Sequence, residues 1–302
     1  MKNTDYYHKP VLAQAVLDIL EPRPSQVIVD CTVGLGGHAE AIAERIGPDG
    51  MLVGLDKDVE TLEQARMRLE PFAMNVRLVH EDFRNLALIK ERLRLTTIDA
   101  ILFDLGLSSH QLSRSERGFS FMREGTLDMR FDRSQGLTAQ EVVNTFDERA
   151  LEKCFREYSE ERHASRIAAM LVTERKKHPI ETTTQLADIA YRSLGRFYRK
   201  RRIHPATKVF QALRILVNDE LTGLSLALEG ARESISPGGK ICIIAFHSLE
   251  DRMVKNAFRA WLSDGSFKSI TKKPIRPAIH EIQENPRSRS AKLRAVEKIY
   301  CN

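Results

Sequence analysis

A glycine-rich turn near the start of the chain has the composition of a ligand-binding loop. Gly34, Gly36 and Gly37 follow a run of β-branched residues, and an amphipathic helical pattern begins at His38. Glycines let a ligand approach the backbone closely, and the free amides at a helix N-terminus bind polar groups. The loose G-x-G-x-x-A pattern, completed by Ala39, fits NAD, FAD and S-adenosylmethionine equally, and it also fits a purely structural turn.

Acidic residues end three consecutive predicted strands. Asp56 ends the second, Glu81 and Asp82 follow the third with Phe83 beside them, and Asp104 ends the fourth. The spacing of Asp56 from the glycine turn is typical of an acid that binds ribose hydroxyls, although Asp56 can instead cap the next helix. Several carboxylates suit a ribose, an adenine and a cationic tail, whereas a pyrophosphate gains little from them. The pattern favours S-adenosylmethionine.

A parallel sheet is needed to bring these residues together. In the first third of the chain, short β-branched runs alternate with amphipathic helical patterns in the order βαβαβαβ. This order predicts a doubly wound, Rossmann-like α/β sheet. The predicted strands span 27–30, 51–56, 76–80 and 98–104, and the predicted helices span 38–46, 59–69 and 86–93.

The strand pattern stops after Leu112 and gives way to successive helix signals. Two threonines begin capping boxes, in which a hydroxyl and an acidic or amide side chain satisfy free amides reciprocally. The signals are Thr138 with Glu141, Thr182 with Gln185, Pro179 after a helix over 160–178, and Gly195 after the next helix. A long helix is predicted over 205–235.

The sheet pattern resumes with a buried strand at 240–246. A helix over 249–261 and weaker strands at 267–271 and 293–299 follow. We therefore predict a discontinuous cofactor-binding domain, residues 1–112 and 214–302, with an all-helical insertion at 113–213 that recognises the substrate.

Positive charge concentrates in this insertion. The 302 residues include 47 Lys+Arg and 41 Asp+Glu, a net charge of +6. Residues 113–213 carry 20 Lys+Arg and 14 Asp+Glu, so the remainder, with 27 of each, is neutral.

Phe197 and Tyr198 lie within the densest basic stretch, a composition that suits RNA but also fits a solvated helix face. The stretch comprises Arg192, Arg196, Arg199, Lys200, Arg201 and Arg202. The alternative RNA contact is the C-terminal segment with Arg287, Arg289, Lys292 and Arg294.

Composition also argues against several classes of protein. The longest apolar runs fall far below the roughly 18 to 20 residues that a membrane helix needs. Residues 1–7 lack the apolar core of a signal peptide. The four cysteines, Cys31, Cys154, Cys242 and Cys301, form no C-x-x-C pair. We expect a cytoplasmic protein with no membrane segment, disulfide framework or structural metal.

Longer motifs extend over nearly the whole chain. They are HKPVL at 8–12, GGH at 36–38, DLGLSS at 104–109 with Gln111-Leu112, ERGFSF at 116–121, LDMR at 127–130, HPATK at 204–208 with FQALR at 210–214, HSLEDR at 247–252 and NPRSRS at 285–290. This set resembles the bacterial 16S ribosomal RNA cytosine-N4 methyltransferases. Departures from the family pattern at Leu107, His110 and Thr126 remove no polar group on which the resemblance depends.

The resemblance has direct implications for cofactor and substrate. It implies that S-adenosylmethionine is the cofactor and that one cytidine in the decoding region of 16S ribosomal RNA, within the small ribosomal subunit, is methylated on its exocyclic amine. It further implies cofactor contacts at Gly36, Gly37, His38, Asp56, Phe83, Asp104 and Gln111.

Methylation of an amine depends on positioning rather than on a covalent enzyme intermediate. The chain has no Pro-Cys dipeptide of the kind that C5 methylation of pyrimidines usually employs. Asp104 is predicted to accept a hydrogen bond from the target amine, with cofactor binding alone as the alternative. Ser248 with Asp251 is predicted to cap the following helix. His247 then has no structural duty, and we predict that it lies near the target base.

Two other functions fit the same features less well. An NAD-dependent oxidoreductase can use the same glycine turn, and a non-catalytic RNA-binding protein can retain the same sheet. The sequence leaves open whether the enzyme forms a homodimer and whether it acts on free RNA or on an assembled subunit.

Overall fold

The computed structural model describes residues 10–134, 136–195 and 204–300. Its chain divides into two compact units. One comprises the chain up to Ser108 and from Thr222 onwards, and the other is Ser109–Leu221. The second unit is four residues longer at its start and eight longer at its end than the predicted insertion of 113–213. The roles assigned to the two units, cofactor binding and substrate recognition, stay predictions.

A seven-stranded sheet lies in the first unit, with the strand order β3-β2-β1-β4-β5-β7-β6. Neighbouring strands from β1 to β5 pair in parallel, whereas β7 is antiparallel to both β5 and β6. The doubly wound α/β prediction is confirmed, and the strand order reverses between β1 and β4, where such sheets bind ligands. The strands are β1 Val27–Asp30, β2 Met51–Asp56, β3 Val76–His80, β4 Ala100–Asp104, β5 Lys240–Ala245, β6 Phe267–Ser269 and β7 Lys292–Lys298.

Hydrophobic side chains cover both faces of this sheet. Ile28 and Val29 are adjacent in β1, yet they belong to separate buried clusters, because successive strand residues point to opposite faces. One cluster includes residues of α1, α2 and α3, and the other includes residues of α4, α11 and α12. The helices of this unit are α1 Ala13–Leu20, α2 Gly37–Ile46, α3 Val59–Arg68, α4 Leu86–Arg92, α11 Glu220–Ser234, whose first residues precede the unit boundary, α12 Ser248–Ser263 and α13 Ile279–Glu284.

The second unit is helical over most of its described residues. Both predicted capping boxes are confirmed: Thr138 pairs with Glu141, and Thr182 pairs with Gln185. Gly195 follows α9 with φ of 44°. The helices are α5 Ser109–Ser113, α6 Ala139–Thr145, α7 Glu148–Ser159, α8 Ala164–Arg175, α9 Thr183–Leu194 and α10 Pro205–Asn218.

Two helix predictions in this region are wrong. Glu160, expected to begin a helix over 160–178, is the left-handed C-cap of α7, and the next helix begins only at Ala164. The long helix predicted over 205–235 is broken at Asp219, whose φ is 48°. Aspartate tolerates this conformation better than most residues. Asn218 fixes the break, because its side chain accepts from the Phe131 amide at 2.8 Å and donates to the Met129 carbonyl at 2.7 Å.

Within the described residues, no helix combines the length and apolar character needed to span a membrane.

Candidate active site

The glycine turn connects β1 to α2. Gly34 and Gly36 have φ of 53° and 79°, left-handed values that other residues adopt at a cost. A Cβ on Gly37 would lie 3.3 Å from the ring of Pro10, so the turn also needs a small residue there. No side chain caps α2 among the residues described, which leaves the amides of its first turn available to a ligand.

Asp56 joins this turn to the end of β2. Its Oδ2 accepts a hydrogen bond from the Gly34 amide at 3.0 Å, and its Oδ1 accepts one from the Asp58 amide at 2.9 Å. The alternative role for Asp56, capping the next helix, is wrong because Asp58 caps α3 through hydrogen bonds from the amides of Glu60 and Thr61. Burial raises the pKa of Asp56 to about 7.

Four polar side chains meet where β1 and β4 end. His38 Nε2 lies 3.6 Å from Asp104 Oδ2, and the Asp104 amide donates to Thr32 Oγ1 at 2.6 Å. Asp30 is 1% exposed, and its Oδ1 accepts from the Thr32 amide at 3.1 Å. Burial raises the pKa of Asp30 to about 6, against the opposing effect of the neighbouring His38.

Two oxygens of this cluster have no hydrogen-bond partner within the described part of the chain. Asp30 Oδ2 and Asp104 Oδ1 are buried without a hydrogen bond to any of the described residues. An unsatisfied buried oxygen is costly, so this arrangement suits a ligand that brings a cation or hydrogen-bond donors. Asp30 was not predicted from the sequence, although its position at the end of β1, directly before the glycine turn, matches that of Asp56 in β2 and Asp104 in β4.

The acids after β3 are already paired. Asp82 lies 3.4 Å from Lys57 Nζ and 3.1 Å from Arg84 Nε, and Glu81 lies 3.2 Å from Arg92 Nη1. Phe83 is half-buried, and its ring forms a T-shaped pair with that of Phe103, with ring centroids 5.9 Å apart. With the two charges compensated, this corner of the sheet suits a neutral ring such as adenine.

His247 has a structural duty that the sequence pattern did not indicate. It is the N-cap of α12: its Nδ1 accepts from the Glu250 amide at 3.4 Å, and the Glu250 carboxylate accepts from the His247 amide at 3.2 Å. The predicted cap by Ser248 and Asp251 is therefore wrong, and Asp251 pairs instead with Lys292 and Arg294. Imidazole nitrogen accepts a hydrogen bond as a carboxylate does.

The proposed role of His247 toward the target base stays a prediction. Its Nε2 lies 2.9 Å from Glu250 Oε1, but outside hydrogen-bond geometry. Six of the predicted cofactor contacts lie in the first unit, in the glycine turn, at the start of α2, or at or just beyond the carboxyl ends of the strands: Gly36, Gly37, His38, Asp56, Phe83 and Asp104. Gln111 belongs to the second unit, where it is buried on α5.

Comparison with known proteins identifies the family. The MraW methylase family model matches residues 5–299. The chain is 45% identical to ribosomal RNA small subunit methyltransferase H from Symbiobacterium thermophilum, with 97% of each chain covered. It is 46% identical to the protein of the same name from Citrifermentans bemidjiense, covering 98% of this chain and 99% of the relative. It is 41% identical to the protein of that name from Clostridioides difficile, covering 98% of this chain and 100% of the relative. The chain therefore belongs to the MraW methylase family.

Proposed function

We propose that this enzyme transfers a methyl group from S-adenosylmethionine to the exocyclic N4 amine of one cytidine in 16S ribosomal RNA. The observation that carries the proposal is a set of three strand-end carboxylates, the buried Asp30 and the partly buried Asp56 and Asp104, beside the glycine turn that opens α2. The names of the relatives supply the class of substrate. An RNA substrate within the small ribosomal subunit would place the enzyme in the cytoplasm.

The residues present fit S-adenosylmethionine. Asp56 would bind the ribose hydroxyls, and Phe83 would flank the adenine. The amides of Gly37 and His38 would meet the carboxylate of the amino-acid tail, and Asp30 would pair with its ammonium group. Gly36 allows the close approach, and Gln111 is the contact that the family resemblance adds. When bound, the cofactor supplies a methyl group on a cationic sulfonium.

Asp104 is the residue proposed to act on the substrate. Its unpartnered Oδ1 can accept a hydrogen bond from the target amine, which localises the lone pair of the nitrogen and directs it out of the ring. His38, 3.6 Å from the other carboxylate oxygen, helps to fix the orientation of Asp104. The amine becomes cationic when it is methylated and then loses a proton readily, so Asp104 is required for orientation more than for basicity.

The nucleotide product tests the function directly. Purified enzyme with S-adenosylmethionine and unmodified 16S ribosomal RNA, or unmodified small subunits, should yield N4-methylcytidine at a single position when digests are mapped by mass spectrometry. Calorimetric titration should detect S-adenosylmethionine but not NAD. Methylation of a different base, or no transfer to either substrate, would contradict the proposal.

Cofactor affinity should rise with pH between about 5 and 8. In the free enzyme, burial raises the pKa of Asp56 to about 7 and that of Asp30 to about 6. Their ionised forms bind the ligand, so below these values a proton must first be removed, at about 1.4 kcal/mol per pH unit and group. Calorimetry across this range checks the slope.

An Asp56→Asn variant is the control for this pH dependence. It should lose the component centred near pH 7 while any titration of the cofactor's own amine persists. An unchanged profile in this variant would remove Asp56 from the linkage.

The helical insertion is proposed to bind RNA through its basic stretch. Most of that stretch lies outside the described residues, including Phe197 and Tyr198. Arg192 is described, and its guanidinium is occupied by Asp188 at 2.7 Å and Glu174 at 3.1 Å. RNA contacts by this stretch are therefore assigned to its other cations, Arg196 and residues 199–202.

Changing Arg199, Lys200, Arg201 and Arg202 to serine together should weaken RNA binding. For each phosphate of single-stranded RNA that is no longer neutralised, the dependence of log K on log salt should flatten by about 0.7, because fewer counterions are released. Filter binding at several salt concentrations measures this, and cofactor affinity should stay unchanged. Wild-type affinity together with a wild-type salt slope would show that the stretch is only a solvated face.

A further inference from the structure

The chain that leads into β7 emerges at the edge of the sheet that carries the candidate active site. Because β7 is antiparallel to β5, its first residue, Lys292, pairs with Ala245, the last residue of β5. His247 follows shortly after Ala245, and Asp104 is in register with Ile244 of β5. Residues just before Lys292 therefore lie at the same edge as Asp104.

Five exposed cations precede β7 in this region. Ile275 forms two backbone hydrogen bonds of 2.9 Å with Leu293 of β7, so the segment around it is fastened to the sheet. We name these cations the C-terminal basic surface: Lys272, Lys273, Arg276, Arg287 and Arg289.

A buried serine fixes the second part of this surface. Ser288 is 0% exposed, and its hydroxyl donates to the Asn285 carbonyl at 2.8 Å. The Asn285 side chain in turn accepts a hydrogen bond from the Arg287 amide at 3.3 Å. With Ser288 directed inward, its neighbours Arg287 and Arg289 are exposed on either side of it. An ordered turn loses less entropy when it binds a ligand.

Four of the five cations of this surface differ in their pairing from the cations that follow it. Lys292 and Arg294 share the single carboxylate of Asp251, at 2.9 and 2.8 Å, so each of them is held in a salt bridge within the protein. By contrast, Lys272, Lys273, Arg276 and Arg289 form no salt bridge with a described residue. The acids in between are Glu281, whose carboxylate accepts from the Leu12 amide at 2.7 Å, and the exposed Glu284.

We propose that the C-terminal basic surface binds backbone phosphates of the RNA that flank the target nucleotide. The inference rests on the proposed function, and it assigns a substrate contact to the unit that holds the cofactor site. Uncompensated lysines and arginines gain free energy from phosphates by releasing counterions, whereas paired ones gain little. Phosphate contacts fix register without reading sequence, so this surface would hold the strand while other groups select the base.

Two variants, each of which removes the charges of one part of the C-terminal basic surface, test the proposal. One changes Lys272, Lys273 and Arg276 to serine, and the other changes Arg287 and Arg289 to serine. Both should bind in vitro transcribed 16S ribosomal RNA at least about 10-fold more weakly near physiological salt, and the salt slope should flatten by about 0.7 for each phosphate no longer neutralised. S-adenosylmethionine affinity, measured by calorimetry, should stay within about 2-fold of wild type.

The matched control changes Arg45, Arg94 and Arg259 to serine, because these exposed cations lie on helices or loops away from the carboxyl edge. This control should keep wild-type RNA affinity and salt slope. Wild-type slopes in both test variants would overturn the inference while leaving the proposed function intact. A wild-type enzyme that neither binds nor methylates the RNA would overturn both. An equal loss of RNA binding in the control would indicate a general charge effect and would also overturn the inference.

Discussion

An Asp104→Asn variant should lower the single-turnover methylation rate by roughly 10- to 150-fold, corresponding to a hydrogen bond to a charged group worth about 1.5 to 3 kcal/mol. Cofactor affinity should change much less. The substitution keeps the shape of the side chain and the hydrogen bond from the Asp104 amide to Thr32. It removes the negative charge that, in the proposed role, would make Oδ1 a strong acceptor for the target amine. Rapid-quench measurement with saturating cofactor and RNA separates this step from product release.

Asp30→Asn is the matched control for that experiment. It removes the same charge from the end of the neighbouring strand, where Asp30 faces the same cluster. If Asp30 pairs only with the cofactor, the Asp30→Asn variant should bind the cofactor more weakly. Its single-turnover methylation rate at saturating cofactor and RNA should equal that of the wild type. Equal losses of rate and cofactor affinity in Asp104→Asn would make Asp104 a cofactor ligand and remove it from the chemistry.

Much of the sheet could be predicted because parallel strands buried on both faces have a simple pattern. Residues 241–245 of β5 are all buried, so the strand reads as a continuous apolar run. β1, β2 and β3 begin and end where their β-branched runs begin and end. Strand ends in such a sheet meet at one edge, so the positions of Asp56 and Asp104 followed from local pattern alone.

The helix break at Asp219 could not be predicted from the local sequence pattern. The apolar periodicity continues through the break, and the chain turns because Asn218 satisfies backbone groups of Met129 and Phe131, nearly 90 residues earlier. The preference of Asp219 for left-handed backbone permits the turn but does not require it. A contact between such distant segments leaves no periodic signal in either segment.

The cap of α12 was missed for a chemical reason. A serine followed three residues later by an aspartate matches the usual cap pattern, whereas the observed cap begins one residue earlier and uses a histidine nitrogen. The choice depends on the pairing of Asp251 with Lys292 and Arg294 of β7, 41 and 43 residues away. Because its carboxylate is held in these salt bridges, Asp251 does not cap α12.

An Asp56→Ala variant should bind S-adenosylmethionine roughly 10- to 150-fold more weakly, because charge-assisted hydrogen bonds to the ribose are worth about 1.5 to 3 kcal/mol. RNA affinity should stay the same, since Asp56 is held at the glycine turn by the amides of Gly34 and Asp58. Stability near pH 8 should fall little, because the raised pKa of about 7 means that ionising this carboxyl already costs folding free energy. Calorimetric titration measures the binding loss.

Asp58→Ala provides the contrast that makes the Asp56 result specific. Asp58 is 1% exposed and caps α3, so its removal should cost about 1 kcal/mol of stability, detectable as a lower melting temperature. Its side chain bonds the amides of Glu60 and Thr61 in α3 rather than the glycine turn, and cofactor affinity in the folded protein should change by less than about 3-fold. The Asp56→Ala variant would then lose cofactor binding and the Asp58→Ala variant would lose stability, although the two acids are only two residues apart. If both variants bound the cofactor equally weakly, the effect would arise from displacement of the β2–α3 connection, and Asp56 would not be a direct ligand.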